Sequence, residues 1–155
     1  MVQWQWSRFT ALDNRQQYEV LRVRQQVFTV EQNCAYQDAD GKDWVAWHLC
    51  GWAPDADEPR LLAYLRVVDP GEKYAEPSIG RVLTTAASRG SGLGRALMGR
   101  ALEHSDRSHD GAAIRISAQR HLEGFYQEFG FEQVSPPYDE DGIPHIEMLR
   151  PARLR

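Results

Sequence analysis

The stretch Ser88–Leu97, SRGSGLGRAL, places three glycines at alternating positions between two arginines. The segment RVLT (81–84) shortly before it has the composition of a β-strand. The apolar residues that follow the glycines have the spacing of a helix: Leu93, Ala96, Leu97 and Ala101. Backbone N–H groups at a helix N-terminus are unpaired, and glycines let an anion approach them closely. The stretch therefore predicts an anion-binding loop between a strand and a helix.

Two common phosphate loops do not match this stretch. A P-loop requires a Lys-Ser/Thr pair after its last glycine, and none follows here. A Rossmann fingerprint would require glycine where Arg95 or Leu97 stands. The pattern that does match is [R/Q]-x-x-G-x-[G/A], over Arg89–Gly94.

The remaining sequence predicts one domain, residues 1–155, of mixed α/β type. Strand patterns occur at 2–9, 44–52, 60–69, 77–85 and 111–118, and two further strands flank an acidic turn within 131–149. Helix patterns occur at 13–28, from Leu93 onward and at 119–130, with Asp13 as N-cap and Gly130 as C-cap. This order predicts one mixed sheet with helices on both faces.

Composition opposes several functional classes. The formal net charge is −4 and the pI is near 5.7, which argues against a nucleic-acid partner. No apolar run is long enough for a membrane span and no signal peptide precedes the domain, so we expect a cytoplasmic protein. Cys34 and Cys50 have no metal or redox spacing, and DADGKD (38–43) has its glycine too early for a calcium loop. We expect no metal.

The loop at 89–94 and the later segment GFYQEFGF (124–131) together resemble the two signatures of the GNAT acetyltransferases. They stand in the expected order, each on the expected element. The segments 24–43 and 138–149 are similar to the ElaA-like branch of that family. This resemblance implies a GNAT acyl-CoA N-acyltransferase fold, with a mostly antiparallel central sheet of about six to seven strands flanked by helices.

The resemblance also implies an acetyl-CoA-dependent N-acetyltransferase that acts on a primary amine. Strand residues Arg81, Val82, Leu83 and Thr84 would bind the pantetheine arm, and the N–H of Val82 or Leu83 would polarise the thioester carbonyl. The pyrophosphate would lie on Arg89, Gly90, Ser91, Gly92, Leu93, Gly94 and Arg95. Gln119 stands where many relatives carry asparagine and would bind pantetheine, beside Phe125 and Tyr126.

The family tyrosine corresponds to Tyr126, which is the candidate general acid, because a phenol with a pKa of ~10 stays protonated at neutral pH. Periodicity alone favours a core aromatic instead, because Tyr126 shares a predicted helix face with Leu122, Phe125 and Phe129. The candidates for the general base are Glu31, His48, His121 and His145, with His121 ranked lower, or a water relay. The predicted acceptor-binding residues are Phe28, Glu31 and Asp40. The acidic stretches Asp38–Asp43 and Asp139–Asp141 would steer a cationic amine or form solvated turns.

Two alternatives share these observations. Arg24 and Phe28, followed by an acidic stretch, are similar to the opening of acyl-homoserine-lactone synthases, although Gln32 stands where those proteins carry tryptophan. A domain that binds acetyl-CoA without catalysis, as a sensor or interaction module, is the other. The acceptor, a small amine or a peptide, and the state of the chain, monomer or homodimer, stay open.

Overall fold

The computed structural model of the chain describes residues 1–153, and residues 154 and 155 of the predicted domain lie outside that range. The first sheet has the order β1-β2-β3-β4 and is antiparallel throughout. Its strands are β1 (Gln3–Arg8), β2 (Ala46–Trp52), β3 (Leu61–Val68) and β4 (Ser78–Thr84). The strand patterns at 44–52 and 60–69 are therefore confirmed as β2 and β3, which pair antiparallel.

The second sheet is also antiparallel and is built around one long strand. Its strands are β5 (Ile114–Gln119), β6 (Glu132–Gln133), β7 (Tyr138–Glu140) and β8 (Ile143–Arg150). β8 pairs with β5 on one side and with β6 and β7 on the other. The two short strands are separated by a segment with Pro136 and Pro137, which cannot donate ladder hydrogen bonds. The described chain thus has eight strands rather than six to seven, and they form two antiparallel sheets rather than one mixed sheet. The predicted fold class is confirmed.

The helices are α1 (Asn14–Arg24), α2 (Leu93–Ser108) and α3 (Glu123–Gln127). Asp13 is the N-cap of α1, as predicted: its carboxylate accepts from the backbone N–H of Gln16 over 2.8 Å. Beyond α1 the helix continues through Gln25–Glu31 in the wider π form, so it ends three residues later than the pattern indicated. No helix within residues 1–153 is long and apolar enough to cross a membrane.

The two faces of the first sheet are covered by different helices, as predicted. Leu49 and Leu65 point to one face and pack into the cluster that contains Leu97 of α2. Their strand neighbours Cys50 and Tyr64 point to the other face and pack with Val20 and the rest of α1. The alternation along β2 and β3 thus builds two cores, one on each side.

The predicted helix at 119–130 is shorter in the structure. The chain leaves β5 through a 3₁₀ turn, Arg120–Leu122, before α3 begins. Leu122 has non-helical backbone angles (φ −98°, ψ 6°) and is 37% exposed, so it does not share the buried face of Tyr126. Gly130 ends the segment at φ +90°, in the left-handed conformation that a C-terminal glycine provides.

The opening that forms the site lies between β4 and β5. At the start of these strands, the backbone N–H of Arg115 donates to the carbonyl oxygen of Pro77 over 3.1 Å. Further along, β4 and β5 belong to different sheets. Register shifts within β4 as well: Tyr64 faces Leu83 while Arg66 faces Gly80, which leaves one extra residue in β4. This is a β-bulge, and it lies at the opening.

Candidate active site

A cavity of about 790 Å³ occupies the opening between β4 and β5. One wall is the bulged strand, the opposite wall is the end of β5 with the buried Tyr126, and the mouth is bordered by the π-helical segment and the β7–β8 turn. The structure brings together here most of the predicted site residues: Phe28, Glu31, Arg81, Val82, Leu83, Thr84, Arg89, Gln119, His121, Tyr126 and His145.

A second cavity of about 270 Å³ lies at the glycine loop. It is lined by Thr84, Ser88, Arg89, Gly90, Gly92, Leu93, Gly94, Arg95 and Phe125. Thr84 and Arg89 line both cavities, so the two spaces meet at these residues. Of the residues predicted for the pyrophosphate, Ser91 does not line it; its hydroxyl donates to the carbonyl oxygen of Ser88 over 2.6 Å.

The loop has the backbone that an anion requires. Gly90 and Gly92 stand at φ +84° and +80°, and no heavy atom lies within 4 Å of a Cβ built at either position. Gly92 is the N-cap of the sixteen-residue α2, so the unpaired N–H groups and the positive end of the helix dipole meet the cavity. The loop therefore fits a phosphate group.

Both arginines of the loop are engaged by carboxylates. Arg89 donates through Nη2 to Oε1 of Glu31 over 2.7 Å, and through Nε and Nη2 to the carbonyl oxygen of Thr84. Arg95 contacts both carboxylate oxygens of Glu128 over 3.2 Å, on the exposed side of the loop. The first of these pairs spans the mouth of the larger cavity.

The bulge centres on Arg81, which has a positive φ of 52°. This conformation is unfavourable for a residue with a Cβ, so its surroundings must hold it. The side chain turns away from the glycine loop: Nε donates to Oδ1 of Asp38 over 2.8 Å, and the guanidinium lies 5.2 Å from the ring centre of Tyr36. A bulge frees backbone groups from the ladder, so β4 offers polar backbone to the cavity here.

Asp38 belongs to a cluster of three arginines and three aspartates. The members are Arg24, Arg66 and Arg81 with Asp38, Asp40 and Asp43. Arg24 is fully buried and is bonded to two of the carboxylates over 2.8 and 2.7 Å. The acidic loop is therefore neither a solvated turn nor a free steering patch, because its carboxylates are neutralised inside the protein.

The structure does not bring the predicted acceptor-binding residue Asp40 to the cavity. Both of its carboxylate oxygens accept from Arg66, over 2.9 and 2.6 Å. Partial burial raises the pKa of Asp40, but the hydrogen bonds from Arg66 and from the backbone of Lys42 outweigh it and hold the pKa well below its usual range. This carboxylate is already paired with Arg66 and lines neither cavity.

Tyr126 belongs to the hydrophobic core and also lines the larger cavity. Its ring packs edge-on against Phe125 and Phe131, with ring centres 5.3 and 6.0 Å apart, and belongs to the main core. The residue also lines the larger cavity, and no group within residues 1–153 is hydrogen-bonded to its hydroxyl. Burial raises the pKa of Tyr126 to about 12, so the hydroxyl is protonated at neutral pH.

His145 lies on β8 directly opposite Gln119 at the open end of β5. Its Nδ1 donates to the carbonyl oxygen of Ile143 over 2.7 Å, since a carbonyl can only accept. Nε2 is therefore the ring nitrogen that faces Glu140, and it lies 3.3 Å from Oε2 of that residue. In the sequence, Glu140 is one of several carboxylates in an acidic turn. The register of the β7–β8 hairpin places it close to His145.

The other two histidine candidates are placed differently. His48 is fully buried outside both cavities, where Nε2 donates to the carbonyl oxygen of Asp43 and Nδ1 accepts from the hydroxyl of Tyr64. Burial lowers the pKa of His48 to about 4. His121 lines the larger cavity but is exposed at its rim. Within residues 1–153, no group of three or more His, Cys, Asp or Glu side chains is arranged to hold a metal ion.

The family model for the acetyltransferase (GNAT) domain matches residues 59–150, which include the bulged strand, the glycine loop and Tyr126. The chain belongs to the GNAT acetyltransferase family. The resemblance to the GNAT family is thereby confirmed, and the family assignment identifies an acyltransferase fold.

Relatives place this GNAT chain in the ElaA-like branch. It is 46% identical over 148 residues to a UPF0039 protein of Synechocystis, covering 96% of this chain and 94% of the relative. The crystal structure of Escherichia coli ElaA matches with a TM-score of 0.88 at 40% identity, covering 97% of this chain and 99% of that one. The crystal structure of an acyl-CoA N-acyltransferase from Pseudomonas aeruginosa matches with a TM-score of 0.90 at 41% identity, with the same coverage.

The alternative suggested by Arg24 and Phe28 also has a structural counterpart. The acyl-homoserine-lactone synthase LasI matches the GNAT chain with a TM-score of 0.75 at 14% identity, covering 96% of this chain and 89% of LasI. At that identity the likeness is one of fold alone. The relatives of the ElaA-like branch favour the N-acyltransferase interpretation.

Proposed function

We propose that this chain, as a single GNAT domain, transfers the acetyl group of acetyl-CoA to a primary amine by direct attack in a ternary complex. The observation that carries the proposal is the continuity of the two cavities. An anion loop at a helix N-terminus opens, past Thr84 and Arg89, into a space that holds the bulge, Tyr126 and His145.

The cofactor would lie along β4. Its pyrophosphate would be bound by Gly90–Arg95 and Arg89, and its pantetheine arm by the backbone of Arg81–Thr84, with Gln119 and Phe125 on the opposite side. The bulge at Arg81 supports a backbone N–H of Val82 or Leu83 as the donor to the thioester oxygen. Such a donor, already held in place, stabilises the negative charge that develops on that oxygen.

In the reaction, the amine nitrogen forms a bond to the thioester carbon and the C–S bond breaks. One proton leaves the nitrogen and one reaches the thiolate, so no other reactant is consumed. We assign the second proton to Tyr126, because its hydroxyl is protonated, faces the cavity and has no competing protein partner within residues 1–153. Its raised pKa makes the hydroxyl a weaker acid than an ordinary tyrosine. It therefore acts first as a hydrogen-bond donor to the sulfur, and transfers its proton as the thiolate charge develops.

We assign the first proton to Nε2 of His145. The bond from Nδ1 to Ile143 fixes the ring orientation, and Glu140 stabilises the imidazolium that forms when the proton arrives. Glu31 and Phe28, at the mouth of the same cavity, would bind the acceptor through charge and apolar contact. His48 is not part of this proposal because it is fully buried and lines neither cavity.

The test is release of free CoA thiol from acetyl-CoA and propionyl-CoA with a panel of amines. The panel contains a small alkylamine, an amino acid, a lysine-containing peptide and a peptide with a free N-terminus. We expect turnover with at least one amine, and a loss of roughly 10²-fold or more in His145→Gln. Binding of acetyl-CoA without turnover on every amine would favour the non-catalytic sensor. Release of an acyl-lactone product from an added amino acid that carries a leaving group on its γ-carbon would favour the synthase alternative.

A further inference from the structure

Two of the residues assigned to the cofactor are hydrogen-bonded instead to the end of one helix. Arg89 contacts the carboxylate of Glu31 over 2.7 Å. Gln119 donates through Nε2 to Oε1 of Gln32 over 3.4 Å, on the opposite wall of the cleft. Glu31 and Gln32 are consecutive, at the end of the π-helical segment Gln25–Glu31. The segment thus contacts both walls of the opening between β4 and β5.

The Arg89–Glu31 ion pair lies where the two cavities meet. Since Thr84 and Arg89 are the residues that line both cavities, a ligand that occupies both must pass beside them. The guanidinium is held there by the carbonyl oxygen of Thr84 and by Glu31 together. Neither partner is deeply buried: the side chains are 45% and 27% exposed, so the pair can exchange with another anion.

We propose that Glu31 competes with the pyrophosphate of the cofactor for Arg89, and that the bound pyrophosphate displaces the carboxylate of Glu31. Arg89 then turns to the phosphate oxygens, for which its planar guanidinium is well suited. Glu31 is left as an unpaired carboxylate at the mouth of the larger cavity. This inference rests on the proposed function and adds to it a residue that links cofactor binding to the acceptor.

The released carboxylate indicates the class of acceptor. A carboxylate that becomes free only when the cofactor is bound attracts a cationic ammonium group to the mouth at that moment. Asp141 and Glu140 line the same cavity, so the mouth carries further negative charge. The acceptor therefore arrives as an ammonium ion and loses one proton to solvent before attack, and His145 takes the second proton as the C–N bond forms.

The experiment measures the affinity of CoA and of pantetheine, which lacks the pyrophosphate, by calorimetry. The variants are Glu31→Gln, Arg89→Gln and the double variant. Glu31→Gln is expected to bind CoA roughly two- to fivefold more tightly, because an exposed ion pair no longer has to be broken. Its affinity for pantetheine is expected to be unchanged. Arg89→Gln is expected to bind CoA roughly tenfold more weakly, and to abolish the gain from Glu31→Gln.

Glu128→Gln is the matched control. It removes the same charge from the other arginine of the loop, Arg95, whose contacts with Glu128 are longer and more exposed. Any gain in CoA affinity there is expected to persist in the Arg89→Gln background, unlike the gain from Glu31→Gln. This difference separates exchange at the Arg89 position from a general reduction in negative charge.

Two results would overturn the inference while the proposed function stands. One is a folded Glu31→Gln chain that binds CoA no more tightly than the wild type. The other is a gain that survives in Arg89→Gln. A folded wild-type chain that fails to bind CoA at all would overturn the proposed function and the inference with it.

Discussion

Nε of Arg81 donates to Oδ1 of Asp38 over 2.8 Å, across 43 positions of the chain, and the backbone of the same arginine stands at φ 52°. The ion cluster is thereby bonded to Arg81, which lines the larger cavity and is the one non-glycine strand residue within 1–153 that has a left-handed backbone. The contact holds a conformation that the residue would not otherwise favour. The cluster is thus part of the support for the bulge at the candidate acyl site.

The strain at Arg81 can be separated from its ion pair by comparing Arg81→Gly with Arg81→Ala. Both variants lose the contact with Asp38, but glycine accepts φ 52° without a steric penalty. We expect the glycine variant to be more stable by about 1 kcal/mol in urea unfolding. Gly80→Ala, at an ordinary φ with open space around its Cβ, is the control and should show no such penalty. Equal stability of the two Arg81 variants would mean that the position is unstrained.

Tyr126→Phe tests the proton donor without changing the shape of the core. We expect kcat to fall by about 10²-fold, because the group that protonates the thiolate is removed. The KM for acetyl-CoA should stay within about twofold, since the ring packing is retained. Tyr74→Phe, outside the lining of both cavities, serves for comparison. An unchanged kcat in Tyr126→Phe would leave Tyr126 as a core aromatic only.

Gly94→Glu separates cofactor binding from stability. Gly94 lies in the first turn of α2 at an ordinary φ, and a Cβ there would meet only the ring of Phe125, at 4.0 Å. A carboxylate near a helix N-terminus is favourable by about 0.3–1 kcal/mol, so the unliganded Tm should hold or rise slightly. The rise of about 5–10 °C in Tm that we expect for wild type with excess acetyl-CoA should disappear. A retained shift would show that the anion lies elsewhere.

The burial of His48 is expected to make the free energy of unfolding fall as the pH falls. Its pKa is lowered from 6.5 to about 4 by burial, with the nearby Arg24 and Arg66 adding to the effect. The unfolded chain therefore binds a proton more readily, so the contribution of neutral His48 is complete above pH 6.5 and is lost as the pH falls to 4. The loss amounts to about 3 kcal/mol.

Unfolding free energies measured between pH 7 and pH 4 check this expectation. His48→Gln should be less stable at pH 7 because its contacts with Tyr64 and Asp43 are disturbed, but flatter across the window. The carboxylates of Asp40 and Asp43 lose their contribution at lower pH, since their pKa values are lowered from 3.8. A wild-type curve as flat as that of the variant would contradict the assignment.

The features that could be predicted from the sequence are those set by local chemistry. The glycine loop, the Asp13 cap and the Gly130 terminus each depend on a few adjacent residues, and each lies in the structure where its pattern indicated. The family signatures then supplied the fold class and the match of Tyr126 to the family tyrosine. Periodicity failed at Leu122, where the chain leaves β5 through a 3₁₀ turn before the helix begins.

The features that could not be predicted depend on contacts between distant segments. Asp40 lies in a segment with the composition of a solvated turn, and only the approach of Arg66 from β3 makes it an ion-pair partner. The sequence does not distinguish His48 from any other strand histidine. Its hydrogen bonds with the hydroxyl of Tyr64 and the carbonyl oxygen of Asp43 depend on the tertiary structure. The pairing of Glu140 with His145 likewise follows from the register of a short hairpin.

The balanced cluster of three arginines and three aspartates has a consequence for directed evolution. Replacing one member leaves its partners with an uncompensated charge inside the protein, which typically costs about 3–5 kcal/mol. Libraries that randomise these six positions one at a time will therefore return mostly the starting residue. Productive variants must exchange an arginine and its aspartate together, so that these six positions behave as one inherited unit.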